Sequence, residues 1–275
     1  MARTFFILAC FTAWASMAHA QNCLPQGITL NLQSEVNAFP TTYPGCTQID
    51  GFLKIGPSND GFGGGITDLT PLAQLTSVGG YLLVEFTIGL ESLDGLDNLT
   101  SVGGYLKLNV NDNLSDITAL SNLTTVGGLL EVRLNPVLTS LEGLGSVSST
   151  GGNVRVHLNE GLTDLQGLEG LVNVGGAVSV EGNSALQSMN GLAPQSVGGA
   201  FWVKDNPQLT DLSAASGLTT IGSALNLQDN AALASLEELA GITALGGYLR
   251  VQNCPLLTDL TPLANIDPTS ITELL

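Results

Sequence analysis

Charge and reactive side chains are scarce in this sequence. Only 11% of its 275 residues are Asp, Glu, Lys or Arg, and Lys and Arg together number seven. One of the seven is Arg3, so six basic residues face 24 acidic ones beyond residue 20, a net charge of −18 there. Such a body repels nucleic acid and anionic membranes, and neither is an expected partner. Beyond residue 20 the chain has one histidine, one tryptophan and three cysteines. That supply leaves no His/Cys/Asp cluster for a metal and no reactive-cysteine context, so no cofactor and no catalytic set is expected. Long apolar runs are missing after residue 20 as well, which excludes a later membrane-spanning helix.

Glycine, in contrast, is plentiful and regular. Gly pairs stand at 79–80, 103–104, 127–128, 151–152, 175–176, 198–199 and 246–247, with Gly222-Ser223 in the one remaining slot. The spacing is 24 residues throughout except for a single step of 23. A fixed period of this size is the signature of a solenoid. With Leu99 as position 1, positions 8 and 10 (Leu106, Leu108) alternate with polar neighbours, the period of a strand with one buried face. Val102 before the strand, and Leu114, Ile117 and Leu120 on the return path, add further apolar groups. Position 13 is Asn111, Asn135, Asn159, Asn183, Asn206 and Asn230, then Cys254. An inward Asn at a turn can serve backbone groups that lack a strand partner. The glycines are read as sites of positive φ or close backbone approach. One coil cannot bury its apolar side alone, but a stack can.

The expected fold is therefore mainly β: a right-handed solenoid of about nine leucine-rich coils with one long parallel sheet. Met1–Ala20 reads as a signal peptide, with Arg3, an apolar run from Phe5 to Trp14, and Ala18-His19-Ala20 before the cleavage point. Residues 21–49 form an N-terminal cap, and 50–275 the solenoid. In the cap, Ile28–Leu32 is expected as a strand, and Ser34 as the N-cap of a short helix through Phe39 that Pro40 closes. Cys23 and Cys46 bracket this segment. In an exported chain they are expected to pair, stabilising the fold by about 3 kcal/mol. Cys254, in the Asn column, reads as a buried free thiol, with pairing to another chain as the alternative. The unit beginning at Ile266 stops after ten residues, which suggests an incomplete C-terminal end.

The segment Cys46-Thr-Gln-Ile-Asp-Gly-Phe-Leu-Lys-Ile55 carries the pattern Cys-x-x-Ile-x-Gly-x-Leu-x-Ile. It resembles the opening of receptor L-domains, the leucine-rich solenoids of growth-factor receptor ectodomains and fungal cell-wall proteins. The longer run from Asn22 to Gly51 resembles exported bacterial leucine-rich proteins of that class. This resemblance implies recognition or adhesion at the cell exterior, generally without catalysis, and names no particular ligand.

The basic residues beyond residue 20 all fall at positions 9 or 11, which flank the buried residue at 10. Lys54, Lys107, Arg155 and Arg250 take position 9; Arg133 and Lys204 take position 11. His157 and Trp202 share these rows, and Tyr81, Tyr105 and Tyr248 precede them at position 7. Two readings are compatible. Lys107, Arg133, Arg155, His157, Trp202, Lys204 and Arg250 mark a ligand face for an anionic, glycan or protein partner at the cell exterior. Alternatively, Lys107–Glu131–Arg155 and Glu181–Lys204 are cross-strand charge ladders. A structural surface-layer role without a ligand is one competing function. A β-helix polysaccharide lyase or glycosidase using Arg155 or Lys107 near Glu131 is a weaker one.

Acids have an order of their own. Position 18 alternates Asp68, Ser92, Asp116, Ser140, Asp164, Ser188, Asp211, Ser235 and Asp259. The alternation separates like charges, or records duplication of a pair of coils. Calcium is not expected there. Carboxylates two coils, about 10 Å, apart cannot share one ion. Asn111–Asp116 begins like an EF-hand loop but lacks its Gly and Glu, and the glycine-rich 57–65 bulge has no Lys to make a phosphate loop.

Overall fold

A computed structural model describes residues 21–57 and 65–273. The expected signal peptide, residues 1–20, and most of the 57–65 bulge lie outside the described residues. The molecule is a stack of coils carrying two ten-stranded parallel sheets, each with its strands in chain order. The wide sheet contains the predicted strands: Leu82–Glu85, Leu106–Asn109, Leu130–Arg133, Val154–His157, Val178–Glu181, Phe201–Lys204, Leu225–Gln228 and Leu249–Gln252. It opens with Ile28–Leu30 from the cap and Leu53–Ile55 from coil 1. The nine strands from Leu53–Ile55 onward define coils 1–9. In register, Leu106, Leu130, Val154 and Val178 form one inward column, each at most 1% exposed.

Sequence periodicity does not reveal the second, narrow sheet. Its strands are mostly two residues long, as in Ser101–Val102 and Thr125–Val126, and two residues are too few to show alternation. Here the Gly pair finds its reason. A Cβ at Gly127 would stand 2.1 Å from the Gly103 carbonyl oxygen in the coil below. The pair answers to close approach between coils; the left-handed backbone lies elsewhere. Position 12 takes φ of 52–56° in Phe86, Val110, Leu134, Leu158, Asp205, Asp229 and Asn253, with Gly182 at 70°. That turn swings position 13 into the core at an expense of about 1–2 kcal/mol for a bulky residue such as Val110.

The inward turn delivers the Asn column. Each carboxamide is 0% exposed and spans three coils. Asn159 is representative: its Oδ1 accepts from the backbone N–H of Asn135 (3.2 Å) and from Asn135 Nδ2 (3.3 Å). Its Nδ2 donates to the Val132 carbonyl (3.0 Å) and to Asn183 Oδ1 (3.3 Å). Thr87 begins the ladder by donating its hydroxyl to Asn111 Oδ1 at 2.6 Å. Cys254 ends it, buried and unpaired, with its thiol donating to the Gln252 carbonyl at 3.4 Å.

The Asp/Ser alternation also resolves into one local device. All nine side chains accept the backbone N–H two residues onward, at 2.8–3.3 Å. Asp and Ser close this turn equally well, so alternating them keeps adjacent carboxylates apart at no loss of the turn.

The cap covers the first coil, and Cys23 is bonded to Cys46. Two details of the cap differ from expectation. The helix α1 spans Gln33–Thr42, so Ser34 is inside it and Pro40 does not end it. Glu35 does the capping, its carboxylate accepting from the N–H groups of Asn31 (2.6 Å) and Leu32 (3.1 Å). Pro40 removes only the bond to the Val36 carbonyl, while buried Val36 and Phe39 hold the helix on the core and Tyr43 N–H still reaches Phe39 O at 2.9 Å. The Gln33 side chain then ties α1 to coil 1 through the N–H groups of Thr67 and Asp68. The first strand is also shorter than expected, ending at Leu30 because Leu32 leads directly into the helix.

Replacing Asn159 by Ala would strand the buried Asn135 N–H and the Val132 carbonyl. Urea denaturation should show a loss of about 2–4 kcal/mol for Asn159→Ala, well above the effect of an exposed substitution.

Candidate functional site

Positions 9 and 11 point away from the core along the wide sheet, because positions 8 and 10 fill it. The structure places every expected face residue on this one open surface: Lys107 and Arg155 beside Glu131, Arg133 beside His157, Trp202 and Lys204 on one strand, and Arg250 two strands on. The surface divides into two halves with different electrostatics.

In the first half the charges are paired, except for Arg133 on the Glu131 strand. Glu131 lies between Lys107 (3.7 Å) and Arg155 (3.3 Å), and Lys54 meets Glu85 at 2.6 Å. The expected Lys107–Glu131–Arg155 ladder is therefore present. Burial pushes the Glu131 carboxyl upward, but the Asn109 amide (3.0 Å) and the two cations outweigh it and hold it below the usual range. Glu131 is thus a fixed anion with its oxygens engaged, unsuited to serve as a general base.

In the second half the expected Glu181–Lys204 rung is not formed, although the two residues are register partners. The Lys204 ammonium lies over the Trp202 ring instead, 5.1 Å from its centroid. Among the described residues, Arg133, Lys204 and Arg250 take part in no ion pair. Arg250 rests over Tyr248 at 5.6 Å and Lys107 over Tyr105 at 4.9 Å. Aromatic faces are accordingly less open than their sequence positions suggest. Phe52, Tyr81 and Tyr105 stack on one another with centroids 4.8 and 4.4 Å apart. Burial first, and then Tyr81 and Glu85, push the Tyr105 phenol up to about 12. The rings hold cations in place more than they offer a stacking platform.

Burial works against a positive charge on His157. Burial is the largest influence on it and pushes its pKa below the ordinary value, against the pull of Glu181. Its Nε2 is 2.9 Å from Ser179 Oγ. Ser179 has Arg155 and Trp202 as its register neighbours on the adjacent strands. Sequence reasoning passed over Ser179, and also Asn226. Both are small polar residues at position 9 on either side of Trp202, and register alone could have found them. Among the described residues no His, Cys, Asp or Glu group of three or more is placed to hold a metal ion, and no helix is long and apolar enough to cross a membrane.

Residues 45–163 match the model of the receptor L domain family, a stretch running from the end of the cap into coil 5. Receptor L domains form a ligand-binding family, typically extracellular and without catalytic activity. No curated protein matches the chain.

Because the folded-state pKa of His157 lies below its unfolded value near 6.5, the unfolded chain takes up the proton first as pH falls. The stability tied to neutral His157 is whole above about pH 6.5 and declines below it. Denaturation midpoints measured between about pH 7 and 5 should fall less steeply for His157→Gln than for the unaltered chain.

Proposed function

We propose that this protein is an exported receptor-type module that binds a glycan or protein at the cell exterior through the open face of its wide sheet. The observation that carries the reading is charge placement: all six basic residues beyond residue 20 sit on that face of an otherwise acidic molecule. Two of these cations, Lys204 and Arg250, are held over aromatic rings and take part in no ion pair among the described residues, which fixes them for an anionic partner without neutralising them. The family match supports ligand binding, and the N-terminal segment supports export. Binding rather than catalysis is favoured by the locked Glu131. A role in adhesion is consistent with the length of the face, which spans the whole stack.

The test is a binding screen of the purified protein against arrayed glycans and host-type surfaces, run with Arg133→Ala, Lys204→Ala and Arg250→Ala. Exposed cations are screened over about 10 Å at 0.1 M ionic strength, so affinity should fall as salt rises and in each variant. Arg155→Ala should matter less for the ligand, since Glu131 already engages Arg155. Partner binding that survives all these variants unchanged would make the basic rows a structural charge ladder only.

A further inference from the structure

The position-9 row in coils 6–9 runs Ser179, Trp202, Asn226, Arg250. Position 9 faces outward, yet Ser179 and Asn226 are only 4% and 3% exposed. Trp202 is the register partner of both, and His157 Nε2 lies 2.9 Å from Ser179 Oγ on the other side. Two polar atoms are enclosed here. Trp202 Nε1 and Asn226 Oδ1 are both shut off from solvent and have no hydrogen-bond partner in the protein. One is a donor and the other an acceptor, on register-paired residues of adjacent strands.

Such atoms carry a desolvation penalty that a bound group could remove. We infer that Trp202 and Asn226 form a ligand-opened subsite for a hydroxyl of an anionic sugar, with Lys204 receiving the sugar's negative charge. The inference rests on the open face being the ligand surface. Strands lie about 4.8 Å apart, and hydrogen bonds to oxygen span about 2.7–3.0 Å. A hydroxyl is both acceptor and donor, so one that reaches both side chains accepts from the indole N–H and donates to the Asn226 carbonyl. Neither atom is accessible in the resting arrangement, so the Trp202 and Asn226 side chains must part as the hydroxyl enters. Lys204 stands on that same ring and makes no ion pair, so a carboxylate or sulfate carried beside the hydroxyl meets an unneutralised cation. A hydroxyl without charge, or a charge without a hydroxyl, satisfies half of the site.

The indole reports on itself. In a Trp14→Phe background Trp202 is the only tryptophan, and its emission can be followed during titration. Three probes separate the requirements: tetragalacturonate has hydroxyls and charge, maltotetraose has hydroxyls only, and poly(vinyl sulfate) has charge only. Tetragalacturonate is expected to shift the Trp202 emission and to bind at least roughly tenfold tighter than maltotetraose. Asn226→Ala should weaken tetragalacturonate roughly tenfold, leave poly(vinyl sulfate) unaffected, and melt no lower than the parent, since it removes an orphaned acceptor. Failure of tetragalacturonate to bind, or equal effects of Asn226→Ala on both anionic probes, would overturn the subsite. If both anions bind with sensitivity to Lys204→Ala but none to Asn226→Ala, the face remains the ligand surface and the subsite alone is wrong.

Discussion

The corner after each wide-sheet strand is the constraint on which this structure depends. There the chain leaves the sheet ladder, turns inward through a left-handed residue, and carries backbone polar groups into an apolar core. The apolar side chains of that core offer them no hydrogen-bond partner. The Asn ladder meets this need, each carboxamide serving the coil before it and the coil after it. The ladder ties adjacent coils to one register, and register then aligns everything else. Inward Leu and Val residues stand in buried columns because the corners are aligned. Outward side chains fall into straight rows for the same reason.

Those rows give an acidic protein one place where positive charge is organised. Net repulsion acts on any anion at long range, while the fixed cations act close to the sheet. An anionic partner would therefore be admitted mainly where it can touch the face, and rejected by the remaining surface. The two halves of the face handle their cations differently. The first neutralises all but Arg133 with Glu131 and Glu85; the second holds its cations over rings. Ion pairing fixes the sheet surface, and ring support leaves charge available for a ligand.

Periodicity made much of this legible. The 24-residue spacing, the 8/10 alternation and the Asn at 13 lead directly to the wide sheet, the inward columns and the open rows. Features shorter than a period were hidden. The narrow sheet has strands too brief to alternate, and the position-12 residues, Leu and Val among them, do not advertise a left-handed backbone. Helix α1 ran past Pro40 because tertiary burial of Val36 and Phe39 outweighs one lost hydrogen bond. On the face, sequence identified where cations sit but not what they touch. Lys204 had two partners within reach, Glu181 across the strands and Trp202 on its own strand, and only side-chain geometry decides between them. Register placed Asn226 beside Trp202 on the face, but its interest, an acceptor left without a donor, shows only in the side-chain geometry.

Strand order has a mechanical meaning as well. The first and last strands of each sheet lie at opposite ends of the stack, so tension between the two ends pulls along the inter-strand hydrogen bonds. Parallel ladders loaded in this direction open one rung after another instead of shearing together. A freed coil of 24 residues extends to about 80 Å after occupying about 4.8 Å in the stack, so the molecule would lengthen in large, nearly equal steps. At the N-terminal end the Cys23–Cys46 bond carries the load past the intervening cap residues, keeping α1 outside the force path. A protein holding a surface under flow would yield by whole coils and re-form them when the load drops.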